Sequence, residues 1–336
     1  MEKLTNAKLP PRETIPGDLH PVVTRQYTLV TPMLEAVVAE GLNCLSKGVH
    51  SAVFEGESRI GKTKTRRYFA RALTHVYPRV TILTYLATRA ALRSERAIYG
   101  SLLKSIRHPF WDDGTVAKRR DRLLERLFDL AQSSGQSKCV LLIDEAEYLL
   151  EADFHLLAGL YNELDERGIE LFTFQFGRPQ IAQVRDDLRR SGQNQLLARF
   201  FEDRVCMWGI RKASELKACL GRYDTHTQFP DGTDWTFPRY YFPDAVAKGW
   251  RLASLAPNLW AAFEEVHRQS GQSGPLQVPM KHFARTVEQV LLHGLVSQDV
   301  ASMSHAELVA MVVASRFGNV LHDDADDERE VEEKEL

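Results

Sequence analysis

The sequence predicts an α/β protein: a five-stranded parallel sheet covered by helices on both faces, followed by a small all-helical domain. Two observations carry this. Five short apolar runs recur up to Ile210, each followed by a helical segment, and that alternation builds a parallel sheet with buried faces. Beyond Ile210 the strands stop and helical stretches remain. At 336 residues the chain is long enough for two cores, and its 44% hydrophobic and 26% charged residues are ordinary for a globular protein.

Taken in order, residues 1–30 hold four prolines and little periodicity, which predicts an extended, mobile arm. Thr31-Pro32 is a helix start, and Leu34, Val37, Val38 and Leu42 mark its apolar face. The expected strands are Val49–Phe54, Val80–Leu86, Cys139–Ile143, Leu171–Phe176 and Arg204–Ile210. Helices are expected after the first strand to Leu73, after Ser94, over Lys118–Ala131 and over Phe154–Glu166. The segment 31–211 then forms the core domain. Residues 212–318 form a helical lid with helices at Lys212–Leu220, Leu259–Gln269, Val278–His293 and Ser304–Ser315. Within it, Tyr223–Trp250 is unusually aromatic and reads either as a satellite core or as an exposed docking surface. Residues 319–336 are expected to be a disordered acidic tail, since nine carboxylates against two basic residues from Asp323 onward cannot pack.

That tail carries −7, leaving the rest of the chain at +5, a balance that permits a nucleic-acid partner without requiring one. The cysteines (Cys44, Cys139, Cys206, Cys219) have no metal or redox spacing, and Cys139 and Cys206, at strand candidates, are expected to be buried thiols. With neither an apolar signal core nor a run long enough to span a bilayer, a cytoplasmic protein is expected.

The chemistry begins at Gly56-Glu57-Ser58-Arg59-Ile60-Gly61-Lys62-Thr63, followed by Lys64. It fits the phosphate-cradling loop G-x-x-x-x-G-K-[ST], between a strand and a helix as that loop requires. Gly56 and Gly61 allow close backbone approach. Lys62 is expected on the β- and γ-phosphates of ATP, and Thr63 on Mg²⁺. Leu141-Leu142-Ile143-Asp144-Glu145 supplies the rest: Asp144 at the strand end for the metal, and Glu145 to deprotonate an attacking water, which favours hydrolysis over transfer to a hydroxyl. Gln175, a costly polar residue in an apolar strand, is expected to position that water if the sheet order is 5-1-4-3-2. Arg199, before strand five, is expected to reach a neighbouring subunit's γ-phosphate, with Arg204 as its rival.

This series of motifs resembles an AAA+ P-loop ATPase, and within that superfamily the TnsC/TniB group of transposition regulators. The resemblance runs from about Thr31 to Arg211 and includes TYLATRAALRSERAIYGSLLKSI after strand two and FGRPQ after strand four. Two features depart from the family pattern: the FQFG ending of strand four and the aromatic lid insertion 223–250. The resemblance implies an ATP-bound homo-oligomeric ring or filament on double-stranded DNA, without base specificity. It implies links to a transposase and a target-selector protein, and disassembly on hydrolysis. Arg89, Arg93 and Arg96 follow strand two, where such rings face DNA, and would share one side if helical. Lys118 and Arg119 open a second basic cluster with Arg120 and Arg122. A signalling or helicase-loader ATPase acting on a protein partner is the alternative. A small-molecule kinase is disfavoured by the Asp144-Glu145 pair.

Overall fold

The computed structural model describes residues 12, 15–89, 94–271, 273–297, 299 and 303–319. Two compact units divide the chain: residues 33–208, and a unit that joins 1–32 to 209–336.

Before the first unit lies a short helix, α1 (Pro21–Thr24), and α2 (Pro32–Lys47) leads into it. Then come β1 (Ser51–Glu55), α3 (Lys62–Val76), β2 (Thr81–Leu86), α4 (Glu95–Ser105), α5 (Val116–Ser134) and β3 (Lys138–Asp144). The unit closes with α6 (Glu151–Glu166), β4 (Glu170–Gly177), α7 (Ile181–Arg190), α8 (Asn194–Phe200) and β5 (Asp203–Cys206). All strand pairs are parallel, in the order β2-β3-β4-β1-β5, which is the expected order read from the other edge. This is the sheet order that the resemblance to AAA+ ATPases implies.

Side chains alternate across a strand, so the central strands β1, β3 and β4 bury residues on both faces of the sheet. On one face Phe54 and Phe176 stack at 4.9 Å between ring centroids, and Phe174 meets Phe69 of α3 at 5.2 Å. On the other, Val53, Leu83, Leu141, Ile143 and Leu171 form one buried cluster with α4, α5, α6 and Phe200 of α8. The strands end on one edge of the sheet, where β1 delivers the chain to α3 and β3 ends in Asp144.

The second unit contains α9 (Ala213–His226), α10 (Phe237–Tyr241), α11 (Pro243–Ala247), α12 (Ala256–Gln269), α13 (Met280–His293) and α14 (His305–Ala314). Its core draws in Ile15 and Val22 from the chain's beginning, so the arm expected over 1–30 is packed structure from Ile15 on. His20 explains why. Its buried ring lies among Phe229, Phe237, Tyr240 and Tyr241 at 4.6–5.0 Å, and its Nδ1 accepts the Val22 N–H that opens α1. The aromatic segment is therefore a core: Phe237, Tyr240, Tyr241 and Phe242 are all buried, and the docking-surface reading does not hold for them.

Strand five is shorter and earlier than expected, and its alternating burial leaves Cys206 exposed, with Cys44, Cys139 and Cys219 buried. Arg93 and the acidic tail lie outside the described residues. Among the described residues no helix is long and apolar enough to cross a membrane.

Candidate nucleotide site

At the end of β1 the chain turns through Glu57 to Gly61 and enters α3. Gly61 stands before the helix at φ +98°, a left-handed conformation that glycine adopts at little cost. Gly61 has no side chain to cap the helix and no acid lies in its first turn, which makes the start of α3 suited to an anion. Lys62 folds back over the turn, its Nζ donating to the Gly56 and Glu57 carbonyls at 2.9 Å each. The Gly56 N–H donates to Gly177 O at 3.0 Å, which fixes the turn to the end of β4. Thr63 is exposed beside Lys62.

Asp144 is buried at the end of β3. Its Oδ2 accepts from Arg66 Nε of α3 at 3.0 Å, and its Oδ1 accepts the Glu145 N–H at 3.2 Å. Glu145 sits in a left-handed turn at φ +54°, which swings its carboxylate out of the strand direction. Burial pushes its pKa up, the neighbouring Asp144 and Glu147 push the same way, and Arg178 and Lys62 oppose them.

Arg178 belongs to this group. Its backbone N–H donates to Glu147 Oε2 at 3.0 Å, its Nε to Glu147 Oε1 at 2.9 Å and its Nη2 to the Tyr148 hydroxyl at 2.6 Å. Its guanidinium and that of Arg89 each lie 5.8 Å from the Tyr148 ring centroid. Gly177 permits the approach, because a Cβ there would stand 2.9 Å from Glu147 Oε2.

The donor set fits a magnesium nucleotide. Lys62 and the α3 amides suit a polyphosphate, while the Thr63 hydroxyl and Asp144 carboxylate are hard oxygen ligands of the kind Mg²⁺ takes.

Gln175 does not join the site. It pairs in register with Val53 and Ile143, so strand alternation sends its side chain to the face opposite Asp144. There it is fully buried and its Nε2 donates to the Phe200 carbonyl of α8. Arg199 lies across α6, its guanidinium 4.4 Å from the Tyr161 ring centroid and its Nη1 3.4 Å from Ala158 O. Arg204 pairs with the buried Glu55.

The basic clusters divide. Arg89 and Arg96 are exposed, but Ser94 caps α4 and Arg89 lies in non-helical backbone, so they do not share the helical side expected of them. Lys118 is exposed. Arg119 is not a surface residue: it is 2% exposed, with Nη1 on Arg96 O at 3.2 Å and Nη2 on Asp112 Oδ1 at 2.9 Å. Burial among carbonyl acceptors removes it as a DNA contact. Arg120 pairs with Glu163, and Arg122 donates to the Phe110 and Asp113 carbonyls at 2.6 and 2.9 Å.

Sequence reasoning missed Arg66, Glu147, Tyr148 and Arg178 as a group. Arg178 had one local signal, an arginine directly after the glycine that ends β4.

Residues 47–184 match the family model of the AAA domain. No curated protein matches the chain. Among solved structures, the ORC2 protein of Aeropyrum pernix, in ADPNP-ADP complexes, is 13% identical, with TM-score 0.45 over 87% of this chain and 80% of that one. Domain III of the replication initiation protein DnaA from Thermotoga maritima is 11% identical, with TM-score 0.44 over 89% and 98%. Cdc6p from Pyrobaculum aerophilum is 15% identical, with TM-score 0.42 over 90% of each chain. Likenesses this distant speak to neither reaction nor partner.

Proposed function

We propose that the chain is a magnesium-dependent ATPase whose nucleotide state controls self-assembly on duplex DNA, as a transposition regulator linking a target selector to a transposase. One observation carries the catalytic part: Glu145 is half-buried directly after Asp144, on the edge where Lys62 closes the phosphate loop. Lys62 and the α3 amides bind the polyphosphate, and Thr63 and Asp144 hold the metal. Bound magnesium supplies charge neutralisation at the phosphate oxygens. Glu145 takes the proton of the attacking water, which its raised pKa suits it to accept. Arg178, fixed by Glu147 and Tyr148, offsets part of the rise in the Glu145 pKa.

The test is Glu145→Gln, which should bind ATP as the parent does and hydrolyse it about 10²–10⁴-fold more slowly. Parent-rate hydrolysis would remove Glu145 from the reaction.

The DNA and transposition part rests on the resemblance of residues 31–211 and on the exposed Arg89 and Arg96. Arg199 remains the candidate for a charge given in trans, and would have to leave Tyr161 to act so. A second reading, an ATPase that controls a protein partner without DNA, is favoured by the internal pairing of Arg119, Arg120 and Arg122. Gel shift of duplex DNA with a non-hydrolysable ATP analogue separates them. Binding that weakens in Arg89→Ala and Arg96→Ala supports the first. No shift in any nucleotide state supports the second.

A further inference from the structure

We infer that Arg66 is a built-in competitor for the metal, so that the nucleotide site is charge-balanced without magnesium and admits the ion only by displacing a guanidinium from Asp144. The inference rests on the nucleotide reading given above and concerns which residue sets the metal requirement.

Arg66 follows Lys62 by four residues in α3, so both cations project from one side of the helix that opens the phosphate loop. The two partners of the pair are removed from water, with side chains only 15% and 5% exposed, and Nε and Oδ2 are 3.0 Å apart. The other carboxylate oxygen already accepts the Glu145 N–H. Both oxygens of the one buried carboxylate suited to the metal are therefore engaged, one of them by a permanent cation. A divalent ion cannot approach Asp144 beside that guanidinium without strong repulsion at low local dielectric. Leaving Asp144 unpaired is also costly, so either Arg66 or the metal must hold it. A guanidinium freed by the metal stays on the helix that carries Lys62, where a polyphosphate is the available anion. Before the metal arrives, Arg66 cancels the Asp144 charge, so a nucleotide meets Lys62 without an unpaired carboxylate opposing it.

The consequences have opposite signs, which a merely supporting role for Arg66 would not produce. In Arg66→Gln the carboxylate has no competing cation, so the magnesium concentration that half-saturates nucleotide binding should fall about tenfold, within the usual range of coupling between sites. Metal-free affinity should fall at the same time, because Asp144 is then an unpaired carboxylate beside the polyphosphate. Fluorescent ATP-analogue binding, titrated with magnesium chloride after EDTA, reads both quantities without any turnover. Arg66→Lys keeps a cation of poorer geometry and should lie between parent and Gln variant. It also serves if the Gln variant melts too low to use.

A magnesium midpoint that is unchanged or raised, with nucleotide binding retained, overturns the assignment of Arg66. So does metal-free affinity that equals the parent's. A parent chain that binds no analogue in magnesium or in EDTA overturns the nucleotide reading itself, and the Arg66 inference with it.

Discussion

A guanidinium held at several points has little freedom left, and Arg178 is held at its backbone N–H, its Nε and its Nη2. Its charge partly offsets the burial that raises the Glu145 pKa. In the proposed reaction Glu145 is a base only when ionised, so hydrolysis should fade with falling pH earlier than an ordinary glutamate would impose. Arg178→Gln removes the offset, and the midpoint of the pH–rate profile should move further up. Its turnover should fall about 10–100-fold, the order expected for a poorly set base, while nucleotide affinity changes little. An unmoved midpoint would mean that Arg178 only braces Glu147. At this scale the sequence was legible where a motif fixes a residue's place in the fold, as at Lys62 at the start of α3 and Asp144 and Glu145 at the end of β3. It was silent where the role comes from a pairing across the fold. Nothing local distinguishes Arg66, paired with Asp144 across 78 positions, from Arg67 beside it, which is exposed.

Between elements, polar side chains act as ties. Gln175 joins β4 to α8 through the Phe200 carbonyl, while its Oε1 is buried without a partner. Gln175→Leu should therefore cost at most about 1–2 kcal/mol, since it deletes an orphaned acceptor along with the bond. Turnover by the folded protein should be unchanged. A large loss of turnover at normal melting temperature would return Gln175 to the chemistry. Arg119 ties α5 to the start of α4 and to the loop at Asp112. Arg119→Met should lower stability by about 2–3 kcal/mol, measured by denaturant unfolding, because its acceptors lose a charged donor. The central strands were readable from apolar runs, because a parallel strand is buried on both faces, whereas the order of the sheet came with the resemblance. The placement of Arg119 was not. A basic helix start reads as solvent-facing, and only the carbonyls of Arg96 and Asp112 show otherwise.

For the molecule as a whole, proline content suggested an arm, while His20 makes that segment part of a core. The partners lie some 200 residues away, so no local pattern reports them. Burial pushes the His20 pKa down to about 4, from 6.5. The unfolded chain then takes up a proton between pH 6.5 and 4 that the folded chain refuses. Stability should be full above that window and decline through it as pH falls, by up to about 3 kcal/mol. His20→Asn keeps an acceptor for the Val22 N–H and removes the titration. Its melting temperature should be lower at neutral pH and flatter between pH 6.5 and 4. A parallel decline in both proteins would assign the acid sensitivity to other groups.

The interleaving of the two units has a consequence for synthesis. Residues 33–208 are one uninterrupted piece and can close their sheet as soon as they leave the ribosome. The other unit cannot, because His20 and Tyr241 are 221 positions apart. At roughly 5–20 residues per second, His20 waits about 10–45 s for its aromatic neighbours. Throughout that interval the segment with Ile15 and Val22 lacks the core it packs into, while residues 33–208 already contain every strand of their sheet. The segment around His20 is thus made before the partners that bury it and is covered only after them.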